Sequence, residues 1–203
     1  MRALVLVDIQ NDFLPGGALA VPDGNAVIPV ANALQAAFPL VVCTQDWHPT
    51  GHKSFASQHP GKQPGDQIQL EGLAQTLWPD HCVQGTRGAE LAADLDMQRV
   101  DTVFHKGTDR NIDSYSTFFD NEHRKDTGLR DYLEKRGVDE VWVAGLATDY
   151  CVLFSTLDAR QLGFRTFVVE DGCRAVDLAE GDGERAFAEM ARAGARITRS
   201  DQA

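Results

Sequence analysis

The chain has 203 residues, 43% of them apolar, and a formal net charge of −11. That length suits one α/β domain with a full core, and the apolar share speaks against a disordered chain. The acidity speaks against nucleic acid and anionic membrane as partners, which need a basic surface, and no apolar run approaches the roughly 20 residues that span a bilayer.

The N-terminus runs straight into Ala3–Val7, which predicts a first strand ending at Asp8 and not a signal peptide. Asn25–Phe38 carries Val27, Ile28, Val30, Ala31, Leu34 and Ala37 at helical spacing. Leu40–Thr44 predicts the second strand. Residues 46–87 then lose periodicity and are rich in Gly, Pro, His, Trp and Asp. Loops beyond roughly 12–15 residues are uncommon in compact domains unless they bind something. Thr102–His105 predicts the third strand, and Thr127–Arg136 a helix that stops at Gly137. Glu140–Ala144 predicts the fourth strand, followed by a helix over Asp149–Gln161 that stops at Gly163. Thr166–Val169 predicts the fifth strand, Glu184–Ala193 a helix stopping at Gly194, and Arg196–Thr198 the sixth strand. Glycine after a periodic stretch is the usual stop signal. Strands that are continuously apolar are buried on both faces, and their alternation with helices predicts a parallel sheet between helical layers. Residues 1–203 are expected to form a single domain with a metal-binding insertion at about 46–87.

Chemistry-bearing side chains gather at the carboxyl ends of these strands, where open α/β sheets place ligands. Asp8 ends the first, Asp46 and His48 follow the second, Lys106 ends the third and Cys151 follows the fourth. Cys151 is the candidate nucleophile. Thr148 and Asp149 are good N-cap types, so Cys151 is expected in the first turn of a helix, where unpaired N–H groups favour a thiolate. Asp8 is placed to take the thiol proton and return it to a leaving amine. Lys106 would otherwise be a costly buried charge; beside Asp8 and Cys151 it pairs with the first and lowers the pKa of the second. Asp46 and His48 are spaced i, i+2 and point to one side of an extended segment. His81 supplies a third ligand from the far end of the insertion. One carboxylate and two imidazoles with open positions suit Zn²⁺, Fe²⁺ or Mn²⁺. His52 and His59 are weaker ligand candidates. Cys43, Cys82 and Cys173 read as buried hydrophobes. Four widely spaced cysteines without a CxxC fit free thiols in a reducing cytosol.

Val7-Asp8-Ile9-Gln10-Asn11-Asp12-Phe13, Gln45-Asp46-Trp47-His48-Pro49, Trp78-Pro79-Asp80-His81-Cys82-Val83, Phe104-His105-Lys106-Gly107 and Gly145–Val152 resemble the signature blocks of nicotinamidases, in the isochorismatase-like hydrolase superfamily. The similarity runs from near residue 3 to about residue 198, and Ser54–Pro60 resembles bacterial members in particular. It implies a three-layer α/β/α fold with a six-stranded parallel sheet in the order 3-2-1-4-5-6. It implies Asp8, Lys106 and Cys151 as the catalytic triad, and Asp46, His48 and His81 as ligands of one divalent metal, usually zinc, with iron or manganese as alternatives. A fourth ligand found in some members has no clean match, since His52 stands at a shorter spacing. Phe13 and Trp78 match the aromatic residues that flank a pyridine ring, and Leu146 is expected beside them. A cis peptide before Ala147 is implied, with the N–H groups of Ala147 and Cys151 as an oxyanion hole. Tyr150 stands where the family varies.

The resemblance implies hydrolysis of nicotinamide to nicotinate and ammonia in NAD salvage, by a cytoplasmic monomer or homodimer that also takes analogues such as pyrazinamide. The nearest rival is another cysteine amidohydrolase of the superfamily, such as an N-carbamoyl amine hydrolase, which leaves Asp46, His48 and His81 without a reason. Isochorismatase activity is disfavoured because vinyl-ether hydrolysis needs no thiol. A non-catalytic metal-binding scaffold would favour a broken triad, and a thiol–disulfide redox role lacks a resolving cysteine near Cys151.

Overall fold

Six parallel strands form the central sheet of the computed structural model, which describes residues 1–203 in full. In chain order the elements are β1 (Arg2–Val7), α1 (Val27–Leu34), β2 (Val41–Asp46), the short strands β3 (Gln67–Leu70) and β4 (Leu73–Thr76), β5 (Thr102–Lys106), α2 (Leu129–Lys135), β6 (Glu140–Leu146), α3 (Leu153–Gln161), β7 (Arg165–Arg174), α4 (Asp182–Arg192) and β8 (Arg196–Thr198). The sheet order is β5-β2-β1-β6-β7-β8. With the β3–β4 hairpin left out of the count, this is the expected 3-2-1-4-5-6.

Alternation along the strands builds two cores. Ala3, Val5 and Val7 face one way with Val141 and Val143, and pack under Leu129 and Leu133 of α2, Leu153 and Ala159 of α3, and Ala186 and Met190 of α4. Leu4 and Leu6 face the other way with Trp142 and Ala144, beneath Val27, Ile28, Ala31 and Leu34 of α1. Successive side chains on opposite faces of a strand make this division unavoidable once both faces are covered. The central strands β1 and β6 run in register from Arg2 opposite Glu140 to Val7 opposite Gly145. Gly145 has φ +130°, and a Cβ there would collide with the Val7 carbonyl, so only glycine lets the two strands close at this point.

Two expectations change. Strands β2, β5, β6 and β7 continue past their predicted carboxyl ends, so Asp46 and Lys106 are strand residues paired opposite each other. The region 46–87 is not wholly irregular, because β3 and β4 pair antiparallel within it. Isolated bridges of His48 to Val83 and Phe55 to Trp78 fold the rest of this segment over the sheet edge. No helix is long and apolar enough to cross a membrane.

Candidate active site and metal centre

Lys106 organises the site. Its ammonium, buried at the end of β5, donates to Asp46 Oδ1 (2.8 Å), the Ser114 carbonyl (2.8 Å) and Cys151 Sγ (3.3 Å). Asp8 Oδ2 lies 2.9 Å from the same nitrogen, so the buried ammonium is an ion-pair partner of both carboxylates. The other oxygen, Oδ1, accepts the Thr44 hydroxyl at 2.6 Å. Ligand atoms of Asp8, Asp46 and Cys151 all lie within 4.8 Å of one another. Asp8 takes φ +48°, a left-handed conformation rare for a non-glycine residue, directly after β1.

The charges follow from burial and pairing. Burial alone would lower the Lys106 ammonium, but Asp46 and Asp8 hold it well above its usual range. Burial would raise Asp46, yet Lys106 and then His48 bring it well below the carboxylate range. Asp8 stays raised, because burial outweighs Lys106 and Asp46 adds repulsion. Burial also pushes the Cys151 thiol well above its ordinary value, with Lys106 opposing. Burial thus opposes the expected thiolate, and Lys106 supports it. Cys43 and Cys173, pushed up to about 12 by burial, are inert as expected.

The local geometry of Cys151 also differs from expectation. Thr148–Val152 forms a single π-helical turn ahead of α3, and neither Thr148 nor Asp149 caps it. Asp149 instead accepts the backbone N–H groups of Val176 and Asp177, both at 2.9 Å. A distant segment has claimed the carboxylate that would cap a helix. The peptide between Leu146 and Ala147 is cis.

Asp46 is shared between two clusters. Oδ1 faces Lys106, and Oδ2 lies 3.3 Å from His48 Nε2 and 3.6 Å from His81 Nε2. Gln10 pins the backbone beneath, donating Nε2 to the Asp46 carbonyl and accepting its N–H, each at 2.8 Å. His48 Nδ1 donates to the Gly107 carbonyl at 2.9 Å and His81 Nδ1 to the Pro79 carbonyl at 2.7 Å. Each ring therefore turns an Nε2 lone pair toward a carboxylate oxygen, and His48 Nε2 is buried with no hydrogen-bond partner. Converging lone pairs need a cation between them. Outward nitrogens anchored on carbonyls are the usual support of metal-bound histidines. Asp46, His48 and His81 thus fit a divalent ion. His52 is buried with its ring 4.3 Å from that of His48, while Nδ1 pairs with Ser54 Oγ at 2.7 Å. His59 is bonded to the Lys53 carbonyl and lies away from the cluster.

Between the two clusters lies a narrow cavity. Phe13, Leu19, Trp78, Tyr115, Tyr150 and Val176 form apolar walls, and Asp46, His81, Asp113, Ala147 and Cys151 add polar or reactive groups. Leu146, expected on this wall, is absent from it. As the last residue of β6 it packs in the core with Trp142 and Ala144. Tyr150 meets Trp78 edge-on at 4.8 Å, and Trp78 Nε1 donates to the Tyr115 hydroxyl at 3.2 Å. Thr44, Gln10, Asp113, Ser114 and Tyr115 escaped the sequence reading. Loop 107–128 carried a usable signal, since it too is aperiodic and longer than compact domains commonly tolerate.

The isochorismatase domain model matches residues 2–202. The chain belongs to the isochorismatase family. It is 52% identical to a nicotinamidase of Escherichia coli strain K12 over 97% of this chain and 93% of the relative. A solved nicotinamidase/pyrazinamidase from Acinetobacter baumanii superposes with a TM-score of 0.96 at 48% identity, covering 99% of this chain and 97% of that one. A pyrazinamidase of Pyrococcus horikoshii solved in complex with zinc matches at TM-score 0.79 and 36% identity, covering 98% of both chains. An isochorismatase-family enzyme of this kind is a hydrolase acting on an amide.

Proposed function

We propose that the protein hydrolyses nicotinamide to nicotinate and ammonia through a thioester on Cys151, with residues 1–203 acting as one hydrolase domain. The observation that carries this reading is Asp46, whose two oxygens join the Lys106–Asp8–Cys151 cluster to the His48–His81 pair across one narrow aromatic cavity. A carbamoyl hydrolase needs the first cluster and has no use for the second.

Phe13 and Trp78 are the flat walls for the pyridine ring, where offset aromatic contact adds about 1 kcal/mol beyond burial. A divalent ion held by Asp46, His48 and His81, zinc as the first choice, would supply a Lewis acid to orient the pyridine carboxamide. Asp8 Oδ2 takes the proton from Cys151 Sγ as sulfur bonds to the carboxamide carbon. Lys106, 3.3 Å from Sγ, stabilises the anionic sulfur as it forms. The N–H groups of Ala147 and Cys151 face the developing oxyanion, and one such donor is typically worth roughly 3 kcal/mol of barrier. Asp8 gives its proton to nitrogen, the C–N bond breaks and ammonia leaves. Asp8 then takes a proton from water as its oxygen adds to the thioester carbon. The C–S bond breaks, sulfur regains the proton, and nicotinate departs. Four free cysteines fit a reducing cytoplasm, and the reaction fits NAD salvage.

The test is ammonia release from nicotinamide by wild type, chelated protein and Cys151→Ala. Wild type should turn over, chelation should lower activity reversibly, and the alanine variant should bind nicotinamide without releasing ammonia. Appreciable turnover by Cys151→Ala would remove the nucleophile from the mechanism.

A further inference from the structure

Asp113, on the loop after β5, has no part in the steps above. It is 3% exposed and lines the cavity with Asp46 and Cys151. Its carboxylate accepts only neutral donors, the Ser114 N–H at 2.8 Å and Gln75 Nε2 at 3.0 Å. Asp8 and Asp46 both pair with Lys106, whereas Asp113 forms no ion pair. A buried carboxylate without a cation is costly unless one arrives with a ligand. Ligand atoms of Asp113, His48 and His52 lie within 4.8 Å of one another, as do those of Asp46, His48 and His81. His48 belongs to both groups, so Asp113 adjoins the candidate metal centre.

The charges of this buried region can be counted. Asp8, Asp46 and Asp113 are three carboxylates, and Lys106 is the one ammonium. His48 and His81 spend Nδ1–H on carbonyls and are neutral when Nε2 binds an ion. Two negative charges are left over, which is what a divalent cation cancels. With Asp113 neutral, the same ion would leave the region with a net positive charge in a low-dielectric site, at a cost to its retention.

We propose that Asp113 is the charge-balancing group of the metal centre, setting its affinity for a divalent cation from outside the Asp46–His48–His81 ligand set. The proposal rests on those three residues holding such an ion. Asp113 is a positioning residue for charge, not a catalytic one.

Zinc titration of chelated wild type, Asp113→Asn and Asp113→Glu, against a competing chromophoric chelator, tests it alongside thermal unfolding with and without zinc. Asp113→Asn should bind zinc about 10–100-fold more weakly, the loss typical of an outer partner, while Asp113→Glu keeps most of the affinity. Without metal, Asp113→Asn should unfold at a higher temperature than wild type, because one of two uncompensated charges is gone. With saturating zinc its gain in unfolding temperature should be smaller. A purely structural role would lower both temperatures equally and leave zinc affinity alone, and that result overturns the proposal. Equal zinc affinity in wild type and Asp113→Asn also overturns it, and leaves the metal reading standing. A wild type that binds no zinc, iron(II) or manganese(II) overturns both. Asp113→Ser carries the same comparison if the amide variant does not fold.

Discussion

Gly107→Ala isolates the placement of one candidate metal ligand. Gly107 follows β5 with φ +64°, and its carbonyl holds His48 Nδ1 at 2.9 Å. A Cβ there would sit 2.5 Å from His48 Cε1, 2.7 Å from Nδ1 and 3.1 Å from Asp46 Oδ1. Carbon atoms in contact normally stand about 3.5–4.0 Å apart, so the imidazole must yield by about 1 Å. It has nowhere to go. The ring is fully buried, edge-on to Phe55 at 5.5 Å and 4.3 Å from His52. A left-handed alanine by itself costs roughly 1–2 kcal/mol. Gly137→Ala measures that cost alone, since Gly137 has φ +67° and nothing within 4 Å of its would-be Cβ. Gly137→Ala should therefore lose roughly 1–2 kcal/mol in urea unfolding with metal content and kcat/KM unchanged. Gly107→Ala should lose about 1–3 kcal/mol more from overpacking. Its metal affinity should fall about 10–100-fold, as when a ligand loses its support, and kcat/KM about 100-fold, the usual penalty of a 1 Å misplacement. If the two variants matched in stability and in metal titration, His48 would not be wedged between Gly107 and the ion, and its role as a ligand would fall.

Asp8→Asn should lower kcat by roughly 10²–10⁴, the range for a lost general base, with metal content intact. Burial first, then Asp46, raise the Asp8 carboxyl against the pull of Lys106. The base works only when ionised, so wild-type kcat/KM should fall as pH drops through a value above the ordinary carboxylate range. A pH profile flat down to that range would contradict the assignment. Asp149→Ala leaves the Val176 and Asp177 N–H groups without their acceptor, at a cost of about 2–3 kcal/mol in urea unfolding. Because Asp149 ties the π-turn to a pocket-lining segment, kcat should fall with it while zinc binding holds. Unchanged stability would mean that Asp149 does not brace the turn.

Legibility differed from element to element. The strand expected at Arg196–Thr198 matches β8 to the residue, because β-branched Ile197 and Thr198 after the glycine stop at Gly194 are a local signal. The helix expected from Asp149 became a π-turn followed by α3, because Asp149 is bound by a segment some 27 positions away. The i, i+2 spacing of Asp46 and His48 was legible, and both side chains do turn toward one point. The supports were not: Gln10 under Asp46, Thr44 on Asp8 and the Ser114 carbonyl on Lys106 are long-range or loop contacts without periodicity.

The order of amino acids by itself determined which segments became strands, where the helices stopped, and that reactive side chains would crowd one edge of a parallel sheet. These are short-range properties, settled by side-chain alternation, helical spacing and glycine. Only the tertiary structure decided that one ammonium, Lys106, would be shared among Asp8, Asp46, the Ser114 carbonyl and Cys151, and that burial would push the Cys151 thiol up against it. Protonation in a buried cluster depends on every neighbouring charge and on the water excluded around it, and neither is fixed until distant segments have packed together.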